Sequence, residues 1–160
     1  MILLDNKRIL RTIRRIAYQI AEEAHGSPIH LVGLNERGYA IAKIIKPILD
    51  QETDSNIPLD QLDALNNEEF IFNYTPKPDS VLVLIDDVIF SGGTLQVAID
   101  KIPKRSIFQK IFIAVLVDRG HRKYPVHAEV VGIHTPTKLN EQVDLELKNN
   151  KPDNVILKKI

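Results

Sequence analysis

Residues 81–100 read VLVLIDDVIFSGGTLQVAID and place two kinds of chemistry side by side. Asp86 and Asp87 follow an apolar run, and Ser91-Gly92-Gly93-Thr94 comes after only three further residues. Two glycines let a backbone approach a ligand closely, and free N–H groups at the start of a helix favour an anion such as phosphate. The hydroxyls of Ser91 and Thr94 add donors. The two carboxylates would repel a phosphate in direct contact. They suit vicinal hydroxyls, which they can accept from, or Mg²⁺, a hard cation that takes oxygen ligands. A sugar phosphate with free hydroxyls answers to both halves of the stretch. The plain alternative is that Asp87 and Ser91 cap turns while the glycines close a strand-to-helix connection.

Two other loops follow apolar runs in the same way. Asn35-Glu36-Arg37-Gly38 comes after IHLVGL, and Asp118-Arg119-Gly120-His121-Arg122 comes after KIFIAVLVD. In open α/β sheets ligands bind beyond the carboxyl ends of the strands, so all three loops are candidates for one crevice.

The elements that must position these loops are legible as periodicity. Ile9, Ile13, Ile16, Ala17 and Ile20 form an apolar stripe that predicts a helix over residues 5–24, stopped by HGSP. Residues 29–34 read as a buried strand and 35–38 as a loop. Residues 39–50 resume a helical pattern that Pro47 is expected to bend or end. Two strands joined around Asn66-Asn67 are expected within residues 57–74, since that dipeptide tolerates a tight hairpin. Residues 81–85 read as a strand buried on both faces, 94–102 as a helix, 110–118 and 128–135 as further strands, and VDLEL and NVILKKI as short edge candidates. The alternation predicts a single α/β domain over residues 1–160, with a mainly parallel sheet flanked by helices.

Bulk properties exclude several classes. The 160 residues are 44% hydrophobic, enough for a sizeable core, and 21 basic residues balance 21 acidic ones. Any surface for nucleic acid must therefore be local. No cysteine is present, which removes thiolate metal sites and disulfides and fits a reducing cytoplasm. The four-residue apolar start is not a signal peptide, and no apolar run reaches the roughly 20 residues of a membrane span.

An apolar strand, an acidic pair, a few apolar residues and Ser/Thr-Gly-x-Thr together resemble the PRPP-binding signature of type I phosphoribosyltransferases. LVGLNERGYAIAKII is similar to the strand, pyrophosphate loop and helix of the bifunctional pyrimidine-operon attenuator/uracil phosphoribosyltransferases. AVLVDRGHRKYPVHAEVVG resembles that subfamily's LVDRGHRELPI segment, and the likeness covers about residues 5–150. The resemblance implies transfer of ribose 5-phosphate from PRPP to a nucleobase, uracil first among them, with Mg²⁺ accompanying PRPP. It assigns Asp86 and Asp87 to the ribose hydroxyls and metal, with Asp87 the closer to the chemistry. Phe90, Ser91, Gly92, Gly93 and Thr94 would take the 5′-phosphate. Asn35, Glu36, Arg37 and Gly38 would hold pyrophosphate, in a loop that often carries a cis peptide in the family. Val117, Asp118 and Arg119 would line the base pocket. A homodimer or higher homo-oligomer is implied as well.

Two departures qualify the resemblance. The family's pyrophosphate loop usually reads Lys-Thr-Arg-Gly, so a cation is lost and an anion, Glu36, is gained. The long mobile hood hairpin of the relatives shrinks here to about residues 66–69, too short to exclude water, which predicts slow turnover. A second reading follows: a catalytically weak regulator of pyrimidine genes that senses PRPP or nucleotide and binds RNA. At 100° per residue, Lys7, Arg8, Arg11, Arg14, Arg15 and Tyr18 share one face of the first helix. A basic stripe with an aromatic can neutralise phosphates and stack a base. The bland reading is a solvated or subunit-contact face. His121 and Arg122 join the candidate RNA contacts, or serve the base pocket or an oligomer contact.

Overall fold

The computed structural model describes residues 1–160. Asp5 starts the first helix: its backbone is extended and its carboxylate accepts from the Arg8 amide at 2.9 Å, satisfying a donor that would otherwise lack a partner. Helix α1 (Asn6–Ala24) buries the expected isoleucine stripe and ends where His25 and Gly26 turn left-handed, at φ 49 and 82. The uninterrupted apolar runs form strands β2 (Ile29–Leu34), β4 (Val81–Ile89) and β5 (Lys110–Asp118). With β3 (Leu59–Leu62) and β6 (Val130–His134) they make a five-stranded, wholly parallel sheet in the order β3-β2-β4-β5-β6. Helices α1 and α2 (Asn35–Thr53) cover one face, and α3 (Gly93–Lys101) packs Leu95 and Ala98 on the other.

Four expectations need correction. The stretch 35–38 is no loop but the first turn of α2. Leu34 stays extended, and Asn35 alone makes the reversal at φ 57, a conformation asparagine tolerates. Pro47 neither ends nor breaks α2, which runs to Thr53. Its missing N–H frees the Lys43 carbonyl, and both residues lie on the exposed side, where water can take the bond. Strand β4 continues through the acidic pair, because β5 supplies main-chain partners as far as Ile89 opposite Asp118.

The hairpin expected around Asn66-Asn67 is absent: β3 is a lone edge strand and residues 63–80 run without regular structure. Side chains hold this segment instead. The buried Asp60 accepts from His30 Nε2 at 2.7 Å and from the Asn73 amide at 2.8 Å. Phe72 packs edge-on against His30 and beside Phe70 and Phe108.

A second sheet is the feature least expected. Strands β1 (Ile2–Leu4), β7 (Glu141–Lys148) and β8 (Lys151–Lys159) are antiparallel in the order β1-β8-β7. Asn149 and Asn150 form the β7–β8 turn with φ 54 and 61, the left-handed pair that a two-residue hairpin demands. Val143, Leu145 and Val155 face α1, α2 and the main core. The alternate residues of β7, Gln142, Asp144 and Glu146, look the other way, as strand geometry requires. No helix is long and apolar enough to cross a membrane.

Candidate active site

Gly38 brings the first two motifs together. It is buried where α2 crosses β4, and a Cβ there would overlap the Ile85 carbonyl and lie 3.2 Å from Asp86 Cα. The first turn of α2 therefore rests on the strand that carries the acids. A cleft of about 1070 Å³ opens here between the parallel sheet's carboxyl end and the second sheet. Asn35, Glu36 and Arg37 line it together with Asp86, Asp87 and Thr94.

Asp86 is 6% exposed, and one of its oxygens accepts from the Asp87 amide at 2.9 Å. Burial, and then the neighbouring Asp87, push its carboxyl well above the usual carboxylate range. Asp87 is only half-buried. The two side chains thus offer hard oxygen acceptors whose mutual repulsion a divalent cation or a pair of hydroxyl donors would relieve, a donor set that fits Mg²⁺.

The α2 turn is built more by structure than by free donors. Asn35 accepts the Ala64 amide at 2.9 Å through its side chain and Gln61 Nε2 at 3.0 Å through its carbonyl. Arg37 Nε donates to the Leu145 carbonyl of β7 at 2.7 Å, tying the turn to the second sheet. Glu36 is exposed. All peptide bonds are trans, so the unusual backbone in this stretch is the left-handed Asn35.

The phosphate-loop candidates are held by the third loop. Gly92 sits at φ 86 as the cap of α3, and Ser91 Oγ accepts the Gly93 amide at 3.2 Å. The Ser91 carbonyl accepts the amides of Lys123 and Tyr124 at 2.9 and 3.0 Å. Arg122 donates to the carbonyls of Phe90 and Val126 and to Asp118 Oδ2 at 2.8, 3.1 and 2.7 Å. Burial alone would raise the Asp118 carboxyl, but hydrogen bonds from Arg122 and the Gly120 amide outweigh it and hold the group below the ordinary range. Arg119 is buried, stacks 4.1 Å over the Phe90 ring and donates to Thr137 Oγ1 and the Glu141 carbonyl.

Not every candidate reaches the cleft. Phe90 to Gly93 do not line it, nor do Val117, Asp118 and Arg119. The Val117 side chain is fully buried in the core. His121, Arg122 and Arg15, the remaining RNA candidates, bond within the protein. His121 Nε2 engages the Thr137 carbonyl, Arg122 spends its guanidinium inside the loop, and Arg15 donates to the Val131 and Gly132 carbonyls of β6. Conversely, motif reasoning passed over the far wall: Gln61, Asp63, Gln142, Asp144, Glu146 and Lys158. The one available signal was the alternation in EQVDLELK, which separates apolar from polar residues by period two.

A parallel α/β sheet with an acidic pair in its central strand, next to a glycine-led helix, defines a class, and the comparisons name it. The profile of the phosphoribosyl transferase domain matches residues 2–146, and the chain belongs to this family. The likeness to the bifunctional attenuator proteins is borne out too. The chain is 34% identical over 159 residues to the Bifunctional protein PyrR of Clostridium acetobutylicum, covering 91% of this chain and 89% of that one. It is 35% identical over 174 residues to the Bifunctional protein PyrR of Fusobacterium nucleatum, covering 98% and 97%. Among solved structures, the hypoxanthine phosphoribosyltransferase of Trypanosoma cruzi superposes with a TM-score of 0.74 over 99% of this chain and 96% of that one. At 15% identity, that likeness describes the fold.

Proposed function

We propose that the chain transfers ribose 5-phosphate from PRPP to a nucleobase, with uracil the preferred acceptor, releasing pyrophosphate. The observation that carries this reading is the single cleft shared by Asp86, Asp87, the first turn of α2 and Thr94 at the start of α3. Asp87 orients the ribose hydroxyls and Asp86 fixes the strand end behind it. The first free amides of α3 and the Thr94 hydroxyl receive the 5′-phosphate. The α2 turn faces the departing pyrophosphate. Mg²⁺, held by Asp86 and Asp87, would neutralise charge on that leaving group. Orientation and electrostatic stabilisation are the terms such a site supplies.

The test is release of pyrophosphate from PRPP with uracil, with cytosine and with hypoxanthine, each with and without Mg²⁺. Uracil-dependent release that needs Mg²⁺ is expected, and it should be slow, because residues 63–80 make no hairpin to cover the cleft. Equal rates for all three bases, or none with any, would overturn the assignment.

One observation favours a second reading, that of an RNA-binding regulator. Lys7, Arg8, Arg11 and Arg14 are exposed on α1 and take part in none of the ion pairs. Lys7, Leu10, Arg11 and Arg14 line a shallow groove of about 510 Å³, and Tyr18 is 41% exposed on the same helix. Reversal of Arg11 and Arg14 to Glu should lower affinity for pyrimidine-gene leader RNA at least tenfold and reduce the salt slope by about one per lost phosphate contact. Filter-binding titrations at several salt concentrations measure both, and unchanged affinity rejects the RNA surface.

A further inference from the structure

The cleft has a charge problem. Glu36, Asp63, Asp86, Asp87, Asp144 and Glu146 line it, against only two cations, Arg37 and Lys158. A polyphosphate ligand needs positive partners in such a site, and metal ions alone leave its outer oxygens unmatched. Arg37 is partly committed, since its Nε is bonded to the β7 backbone.

Lys158 is held differently. It lies on β8 directly opposite Gln142, and its Nζ is 3.2 Å from Asp144 Oδ2. The lysine side chain is 54% exposed and that of Asp144 29%. An ion pair so open to water is weak, and a lysine ammonium on its flexible stem changes partner at little cost. Asp144 would not be left bare, because Gln142 Nε2 already donates to its other oxygen at 2.9 Å. Through the bond from Arg37 to Leu145, this sheet is also fixed to the α2 turn. The movable cation and the fixed one therefore both reach the cleft beside β7.

We propose that Lys158 is a substrate-binding residue: its ammonium rests on Asp144 in the free protein and moves to the pyrophosphate end of PRPP when the ligand binds. This rests on the phosphoribosyl reading of the cleft. No motif points to it, because the residue comes from a strand remote in sequence from all three loops.

Calorimetric titration of the full chain with PRPP and Mg²⁺, and separately with UMP, tests the assignment. Lys158→Ala should weaken PRPP by about tenfold or more, the loss expected for one charge-assisted hydrogen bond. Lys158→Arg should stay within about threefold of the parent, and Lys159→Ala, an exposed neighbour outside the cleft, should have no effect. UMP, which has only the 5′-phosphate, should bind Lys158→Ala as it binds the parent. Asp144→Asn should act in the opposite direction and tighten PRPP by freeing the ammonium. Thermal melts establish that each variant is folded. If Lys158→Ala binds PRPP like Lys159→Ala, or loses UMP as much as PRPP, the lysine assignment is overturned while the phosphoribosyl reading stands. If the parent binds neither ligand, both are overturned.

Discussion

Gly38→Ala is expected to lose roughly 3 kcal/mol of stability, the upper range for overpacking, and to bind PRPP poorly even where it remains folded. The added methyl would overlap the Ile85 carbonyl, and both partners are main chain in regular elements, so neither can step aside as a side chain could. Relief requires α2 to lift off β4, which separates the turn at residues 35–38 from Asp86. Gly26→Ala is the control. Gly26 has open space around it, and its cost comes only from φ 82, on the order of 1 kcal/mol. Urea denaturation of both variants measures the difference. Equal losses would mean that the close approach of α2 is dispensable.

The acidic pair should separate by sign. Asp86→Asn is expected to raise stability at neutral pH by about 1–3 kcal/mol, because it removes a carboxylate that burial penalises. Asn can still accept the Asp87 amide, and its own N–H₂ lies beside the Asp87 carboxylate. The parent's folded-state pKa at this position is raised, so the folded chain holds a proton that the unfolded chain has released. Stability is then full below the ordinary carboxylate range and declines as pH rises through the raised value. Asp86→Asn should flatten that decline. Ligand binding runs the other way, since cations and hydroxyl donors favour the ionised acid, and PRPP affinity should climb with pH over the same window. Asp87→Asn, being half-buried, should leave stability nearly unchanged while cutting pyrophosphate release about 10²–10⁴-fold, the range for loss of a positioned acid or base. Melting curves from pH 5 to pH 8 and the uracil assay distinguish the two. A destabilised Asp86→Asn would show the acid to be an inward-facing structural acceptor instead.

What the sequence revealed and what it hid have physical reasons. β2 and β5 span the same residues in chain and expectation, because apolar runs buried on both faces end where polar residues must emerge. β4 overran its apolar run because ladder bonds from β5 are indifferent to side chains, so Asp86 pairs with Val115 as Ile85 does with Ala114. The hairpin dipeptide was misplaced. Asn-Asn occurs at 66–67 and at 149–150, and the second forms the turn, since Val143, Leu145 and Leu147 face Leu157, Val155 and Pro152 across it. Residues 63–69 have few such partners, and Lys101 caps the carbonyls of Asp63 and Asn66 there. The three site loops were readable because each is a local pattern. The far wall of the cleft was not, since Gln142, Asp144 and Lys158 become neighbours of Asp86 only once the second sheet has packed on α1 and α2.

Arg15 has a consequence for assembly. β6 is the outermost strand of the parallel sheet, and an outermost strand ordinarily presents a row of free amides and carbonyls to which a foreign strand can add. By giving its guanidinium to Gly132, whose carbonyl faces away from β5, Arg15 takes one of those carbonyls out of play. That border becomes a poorer template for continuous growth into fibrils.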